Sequence, residues 1–277
     1  MPARYLCWVL IAGLLAVLPP GTARAQGPAA DGYNPWPGLV QDIFANRPMD
    51  DGSGIIAIEM PYRAEDAAIV PVTLRVKLTP LDRRHVKAIT LVIDQNPAPM
   101  AARFDLGQDS AVSEISTRVR VNSYTDVHAV AELDDGKLYM TKTYVKASGG
   151  CSAPALKNAD EAKARLGLIK FRRFAKPADG PQSGAREAQI MIGHPNNSGL
   201  QMDQVTRLYT PAFFVNELHI WQDDTLVLAM QGGISISEDP NIRFSYVPNG
   251  AKRIRVEARD TDGHVFQNEW KVDDSAM

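Results

Sequence analysis

The most distinctive reactive group in this chain is a thiol. Cys151 lies in the stretch Ala147-Ser148-Gly149-Gly150-Cys151-Ser152-Ala153-Pro154, and the other cysteine, Cys7, falls in an N-terminal segment that reads as a cleaved leader. With that segment gone, Cys151 has no partner for an internal disulfide and must be free or modified. Gly149 and Gly150 carry no side chains to crowd the sulfur and give the backbone wide freedom. This predicts an arm that presents the thiol to a site elsewhere. If Ala147 ends a strand, four extended residues reach at most about 13 Å, a short arm stiffened beyond by Pro154. Lys146 and Lys157 flank it, yet with an unperturbed pKa of about 8.5 the thiolate is a minor species at neutral pH. The competing expectation is that Cys151 is a small apolar residue packed in a loop.

Other chemistry is sparse. His85, His128, His194, His219 and His264 are scattered, and no H-x-x-H, H-E-x-x-H or C-x-x-C pattern occurs, so neither a metal site nor a bound cofactor is expected. None of the histidines neighbours Cys151 in sequence, and a nucleophile is ordinarily fixed on a rigid element beside its base. A carried thiol, not an enzyme, is the expectation. Gly232-Gly233-Ile234-Ser235 lacks the lysine of a phosphate-binding loop and is expected to be a strand-turn feature. Trp36, Trp221 and Trp270 are expected to anchor packing.

The ends and the charge narrow the setting. Arg4, the apolar run Tyr5 to Leu18 and the small-residue site Ala23-Arg24-Ala25 form a signal-peptide pattern over residues 1–25, too short to span a membrane comfortably, and no other stretch could span. This predicts export to the periplasm by the general secretory route, with cleavage before Gln26. Cleavage removes two arginines and no acid, leaving 28 basic against 32 acidic residues, a net −4. The basic clusters Arg83-Arg84 and Lys170 to Arg173 are short and are expected to be solvated surface, which argues against nucleic acid as a partner.

Helical spacing of Leu39, Val40, Ile43 and Phe44, stopped by Asn46-Arg47-Pro48, predicts one short helix lying across a sheet. From Gly54 the period falls to two. Strands are expected at Ile55 to Met60, around Val72 to Leu78, Ile89 to Ile93, Ile115 to Val121, Val127 to Leu133 and Leu138 to Val145, with a hairpin signal at Asp134-Asp135-Gly136. Asn158 and Glu161 have capping-box spacing ahead of a helix over Ala159 to Leu166, and Lys176 to Gly184 has linker composition. Strands resume at Ala188 to Ile192, Phe214 to Trp221, Thr225 to Gln231, Ile242 to Val247 and Arg253 to Ala258, after an irregular loop at His194 to Gly199. The fold class is all-β: two immunoglobulin-like β-sandwich domains in tandem, with short helices at the N-terminus and in the linker. The expected divisions are 26–146 for the first sandwich, 147–187 for cysteine arm, helix and linker, and 188–277 for the second.

Particular stretches carry a resemblance. Val86 to Pro97, Ile115 to Asn122, Asp135 to Tyr139 and the terminal Gly149-Gly150-Cys151 resemble SoxY, the sulfur-carrier subunit of the periplasmic thiosulfate-oxidising system. His194-Pro195, Gly199, Thr210 to Phe214 and Ser235 to Pro240 resemble its partner SoxZ. Together they resemble the fused carriers associated with periplasmic quinoprotein dehydrogenases. The resemblance implies that Cys151 is where substrate attaches covalently, that Gly149 and Gly150 form its arm, and that a SoxY-like half meets a SoxZ-like half within the molecule. It also implies periplasmic sulfur-oxidising enzymes or a quinoprotein dehydrogenase as partners. A docking or assembly module for such a dehydrogenase, making no use of the thiol, is the alternative. Where SoxY ends in a free Gly-Gly-Cys-Gly-Gly tail, Ser152-Ala153-Pro154 follows here, which ties the arm at both ends.

Overall fold

Alternation of apolar and polar residues buries one side of each strand: in Val70–Val76 the inward Val70, Val72 and Leu74 are buried, while Pro71 and Arg75 are exposed. The computed structural model describes residues 34–79, 81–154, 159–174, 184–203 and 206–272. The first half contains α1 (Trp36–Phe44), β1 (Met49–Asp51), β2 (Ile56–Glu59), β3 (Val70–Val76), β4 (Val86–Ile93), β5 (Met100–Leu106), β6 (Glu114–Val119), β7 (Thr125–Leu133) and β8 (Leu138–Val145). The second contains α2 (Ala159–Ala164), β9 (Ile169–Phe174), β10 (Arg186–Ile192), β11 (Val215–Gln222), β12 (Thr225–Gly232), β13 (Asn241–Tyr246), β14 (Arg253–Asp260) and β15 (Val265–Lys271). Each half is an immunoglobulin-like sandwich.

The two sandwiches share their sheets. The larger sheet runs β1-β8-β7-β4-β5-β12-β11-β14-β15 and the smaller β2-β3-β6-β13-β10-β9, so both cross from the first half to the second. The crossings are antiparallel. In one, Phe104 lies opposite Met230 and Ala102 opposite Gly232; in the other, Ile115 lies opposite Phe244 and Ser116 opposite Arg243. Ser245 Oγ accepts from the Ser113 and Glu114 backbone N–H groups, each at 2.9 Å, and extends the second crossing where regular pairing stops. One apolar cluster, including Leu91, Phe104, Leu218, Met230 and Phe244, runs through both halves, and residues Tyr33–Met277 form one compact unit.

Close backbone approach at the first crossing depends on Gly107. Its N–H donates to the Val227 carbonyl at 3.0 Å, and a Cβ there would stand 1.8 Å from the Leu226 oxygen. At the opposite end of the large sheet, α1 covers the outer face through Phe44, packed with Val92, Val130 and Leu138, as its stripe predicts. Trp36 stacks on His128 with ring centroids 3.6 Å apart, and His128 Nδ1 is 2.9 Å from the buried Asp94 carboxylate.

Four strands carry too little pattern to be expected from sequence: β1, β5, β9 and β15. β5 alternates only from Ala102, with buried Ala102 and Phe104 separated by the partly exposed Arg103, and the neighbouring Ala101 is also inaccessible, so its pattern is short. Lys170 to Arg173, expected to be mere solvated surface, belongs to β9, an edge strand whose charges deter pairing with another chain. β15 is the other outer edge of the second half, with Phe266 and Trp270 turned to the core and its remaining residues exposed. The helix expected to Leu166 ends at Ala164; its expected cap Asn158, the expected leader 1–25 and the expected linker residues 176–183 lie outside the described residues.

Shared sheets predict that the halves fold as a unit. A protease site inserted within 176–183 and cut should leave both fragments eluting together and melting in one transition. Gly107→Ala should lower stability by about 2–4 kcal/mol, because backbone must move to admit the methyl, and should release the fragments of the cut chain more readily. Fragments that separate without denaturant in the cut parent would contradict this arrangement.

Candidate functional site

The thiol seat is built where the two halves meet. Ala147 ends the run out of β8, and the chain then folds back instead of projecting. Gly149 N–H donates to the Asn122 carbonyl at 2.9 Å, Gly150 N–H to Val121 at 3.0 Å, and Ser152 N–H back to Gly149 at 3.2 Å, closing a turn with Gly150 and Cys151 at its centre. Gly149 has φ +78°, where a side chain is strained. Gly150 has another reason to be glycine: a Cβ would lie 2.0 Å from the Ala67 oxygen and 2.7 Å from that of Val121. The expectation of a projecting, solvent-open arm is therefore corrected. Cys151 has 0% exposure, because the turn seats it against backbone that only glycine lets approach.

The SoxZ-like half closes the seat. Ser198 Oγ donates to the Cys151 carbonyl, and Gln201 Nε2 donates to the Ala153 carbonyl at 3.0 Å. Both side chains are themselves fixed, since Ser198 N–H donates to Gln201 Oε1 at 3.1 Å. Their loop begins at His194, whose Nδ1 accepts the Asn196 N–H at 3.1 Å. That contact puts the neutral ring's proton on Nε2, which stands 3.5 Å from Asp260. Burial pushes the His194 pKa down against the opposing influence of Asp260. Asn196, fully buried at φ +43°, accepts the Val215 N–H on its side-chain oxygen at 3.1 Å.

Arg120 was not foreseeable. Periodicity of Ile115, Thr117, Val119 and Val121 places it on the opposite, outward face, yet it is 1% exposed. β6 ends at Val119, and the chain turns Arg120 inward at the seam. Its guanidinium donates to the Gly150 carbonyl at 3.2 Å and to the Asn196 carbonyl at 3.4 Å, while its Nε has no partner. Its backbone is held too: Arg120 N–H donates to Ser235 O at 2.7 Å, and Asn96 Nδ2 donates to Arg120 O and to Ser235 Oγ, each at 2.8 Å. The Gly232-Gly233-Ile234-Ser235 stretch is the turn that delivers this serine.

Electrostatics at the sulfur oppose each other. Burial disfavours the thiolate, the Arg120 cation favours it, and burial prevails, so the thiol is pushed up to about 11. Burial also lowers the Arg120 pKa, offset by Glu238, Cys151 and Asp66; a guanidinium nonetheless stays protonated. Arg120, not Lys146, is the cation that matters, since Lys146 Nζ lies over the Tyr62 ring at 4.9 Å. Lys157 lies outside the described residues. Folded like this, Cys151 is a protonated, shielded thiol. Trp270, against Phe171 at 5.2 Å, and Trp36 pack against the apolar clusters as expected, whereas Trp221 lies outside them, beneath Arg255 at 3.9 Å.

A thiol whose folded pKa exceeds its unfolded one contributes stability present below the unfolded value and lost as pH rises through about 11. Urea titrations of the parent and Cys151→Ala between pH 8 and 11 should show the parent losing about 2–3 kcal/mol more across that window; parallel pH profiles would contradict the seat. Gly150→Ala should cost about 2–4 kcal/mol through the backbone clash, and Gly149→Ala, with open space but positive φ, about 1–2 kcal/mol.

Comparison with known proteins agrees with this division. The family model for the sulfur oxidation protein SoxY matches residues 40–151, and that for the sulphur oxidation protein SoxZ matches residues 175–271. A search of the curated proteins found no significant match. Among solved structures, the sulfur carrier protein SoxY from Chlorobium limicola f thiosulfatophilum is 25% identical, with 41% of this chain and 91% of that one covered and a TM-score of 0.33. A superoxide reductase (neelaredoxin) from Ignicoccus hospitalis is 15% identical, with 34% and 81% covered and a TM-score of 0.31. With the SoxY match ending on Cys151 and the SoxZ match supplying the other side of its seat, the chain belongs to the SoxY and SoxZ sulfur-carrier family, both parts fused in one polypeptide.

Proposed function

We propose that this protein is a periplasmic covalent carrier in sulfur oxidation. Its cargo, a sulfur intermediate, is held on Cys151, and loading requires the Gly149–Pro154 segment to leave its seat. The observation that carries this reading is that the SoxY match terminates on Cys151, the residue the resemblance identifies as the attachment point. Joining the cysteine sulfur to a second sulfur forms an S–S bond, sheds the thiol proton and releases two electrons. A partner oxidoreductase must take them, so the carrier does not complete this chemistry alone.

The seat gives the carrier a closed state. A thiolate is the reactive species, and a sulfur without exposure, pushed up to about 11, reacts with little. Opening breaks the Ser198 and Gln201 contacts, and a partner that binds the freed segment draws the equilibrium toward it. The leader 1–25 supports export, and a quinoprotein dehydrogenase or another periplasmic sulfur-oxidising enzyme is the partner proposed. Burial of Cys151 also favours a second reading, a docking module for such a dehydrogenase that never uses its thiol.

Intact mass of protein taken from the periplasm without reductant separates the two. A carrier should show sulfur-containing adducts on Cys151 that vanish on reduction, and Cys151→Ser should abolish them with partner-dependent turnover. Ser198→Ala with Gln201→Ala should speed alkylation of the folded protein at pH 8 roughly ten- to a hundredfold, as two hydrogen bonds of about 1 kcal/mol each are lost. A single unmodified species in the cell, with function intact in Cys151→Ser, leaves the docking module.

A further inference from the structure

The outer face of the smaller sheet holds a cationic hollow that the thiol seat does not use. Lys170, Met191 and Asn241 lie side by side across β9, β10 and β13, and Arg118 of β6 joins the row one step beyond the Ser116–Arg243 pair. Above this row is a cavity of about 270 Å3, walled on its apolar side by Met191 and Leu168. It straddles the seam, with Arg118 from the first half and the remainder from the second.

Its charges are unevenly satisfied. Arg165, also on the wall, is paired with both Asp239 carboxylate oxygens at 2.9 and 2.8 Å, so those charges cancel. Arg118 donates only to the backbone oxygen of Asp239 at 3.1 Å, and its Nε is buried with no partner. Among the described residues Lys170 makes no ion pair. Asn241 Oδ1 already accepts from Gln189 at 2.7 Å, which leaves its NH2 group to donate. In the next row the cations are engaged: Arg243 is paired with Glu187, and Arg172 lies over the Phe174 ring at 4.9 Å. Unengaged cations therefore coincide with the hollow. An orphaned buried donor is costly unless something fills it.

We propose that this hollow binds a small doubly charged tetrahedral oxyanion of the sulfate, thiosulfate or phosphate type. The Arg118 guanidinium, Lys170 Nζ and the Asn241 amide are its donors. Two unpaired cations match a dianion, and at roughly 30 Å3 per water the volume admits such an ion with several of its own waters. Because the donors come from both halves, the ion ties them across the seam.

Calorimetric titration of the full mature chain with sulfate, thiosulfate and phosphate, at constant ionic strength in chloride, tests this. Saturable one-site binding is expected for the parent and for Arg172→Gln, with acetate at least about tenfold weaker. Arg118→Gln and Lys170→Gln should each weaken binding about tenfold or more, the scale of a charge-assisted hydrogen bond. Lys170 lies exposed on an edge strand, so its variant keeps the test decisive if Arg118→Gln fails to fold. No saturable heat from any dianion up to about 50 mM, acetate binding as tightly as sulfate, or Lys170→Gln binding like the parent would overturn the proposal. So would a melting temperature that climbs linearly with sulfate and alike in all variants, the general salting effect, in place of saturable binding.

Discussion

Two edge-to-edge strand pairings hold this molecule in its form. A sandwich standing alone would expose the β5 and β6 edges in one half and the β12 and β13 edges in the other, each a row of unpaired N–H and C=O groups. Pairing β5 with β12 and β6 with β13 satisfies all four. It also fixes register. A slip of one residue at either crossing would turn Phe104, Met230, Ile115 or Phe244 out of the core. Apolar burial then continues through the seam without a polar layer to divide it.

The seat of Cys151 is a consequence of that seam. Where β6 ends, the chain can no longer pair as a strand, and the Ser235-Ile236-Ser237 segment from the other half takes up its hydrogen bonds. Arg120 enters this junction because its backbone is gripped from both halves. A buried guanidinium is tolerable only if its donors find acceptors, and the carbonyls of Gly150 and Asn196 are those acceptors. One is on the thiol turn and the other on the SoxZ-side loop. The same group therefore organises the turn, joins the halves and biases the sulfur toward its anion, against the larger effect of burial.

Fusion changes what a carrier of this kind must do. A free tail needs only diffusion to expose its thiol, whereas the carrier proposed here would have to unseat a turn continued at both ends. Its closed state is protonated and shielded, and its contacts are few and polar, the sort a partner can replace with contacts of its own. Shielding also limits unwanted conjugation, to which an exposed thiol is open.

Sequence determined the fold class and most of the strands, because alternation at Val70–Val76 and Arg253–Asp260 records which side of each strand faces the core. It also determined that a thiol preceded by two glycines was the group to follow, and the family residues carried that further. It was silent on β5, whose alternation is confined to the few residues from Ala102, and on the outer strands β9 and β15, where one face is solvent and carries polar residues. The two sandwiches were legible, but their merger was not, since pairing between distant edges leaves no local pattern. Only tertiary structure decided the state of Cys151. Of the two glycines that suggested freedom, Gly150 is there for close approach to the carbonyls of Ala67 and Val121 and Gly149 for its positive φ. Arg120, Ser198 and Gln201 meet the thiol turn from segments far from it in the chain, and no spacing along a sequence can encode a contact that exists only once both sheets have closed.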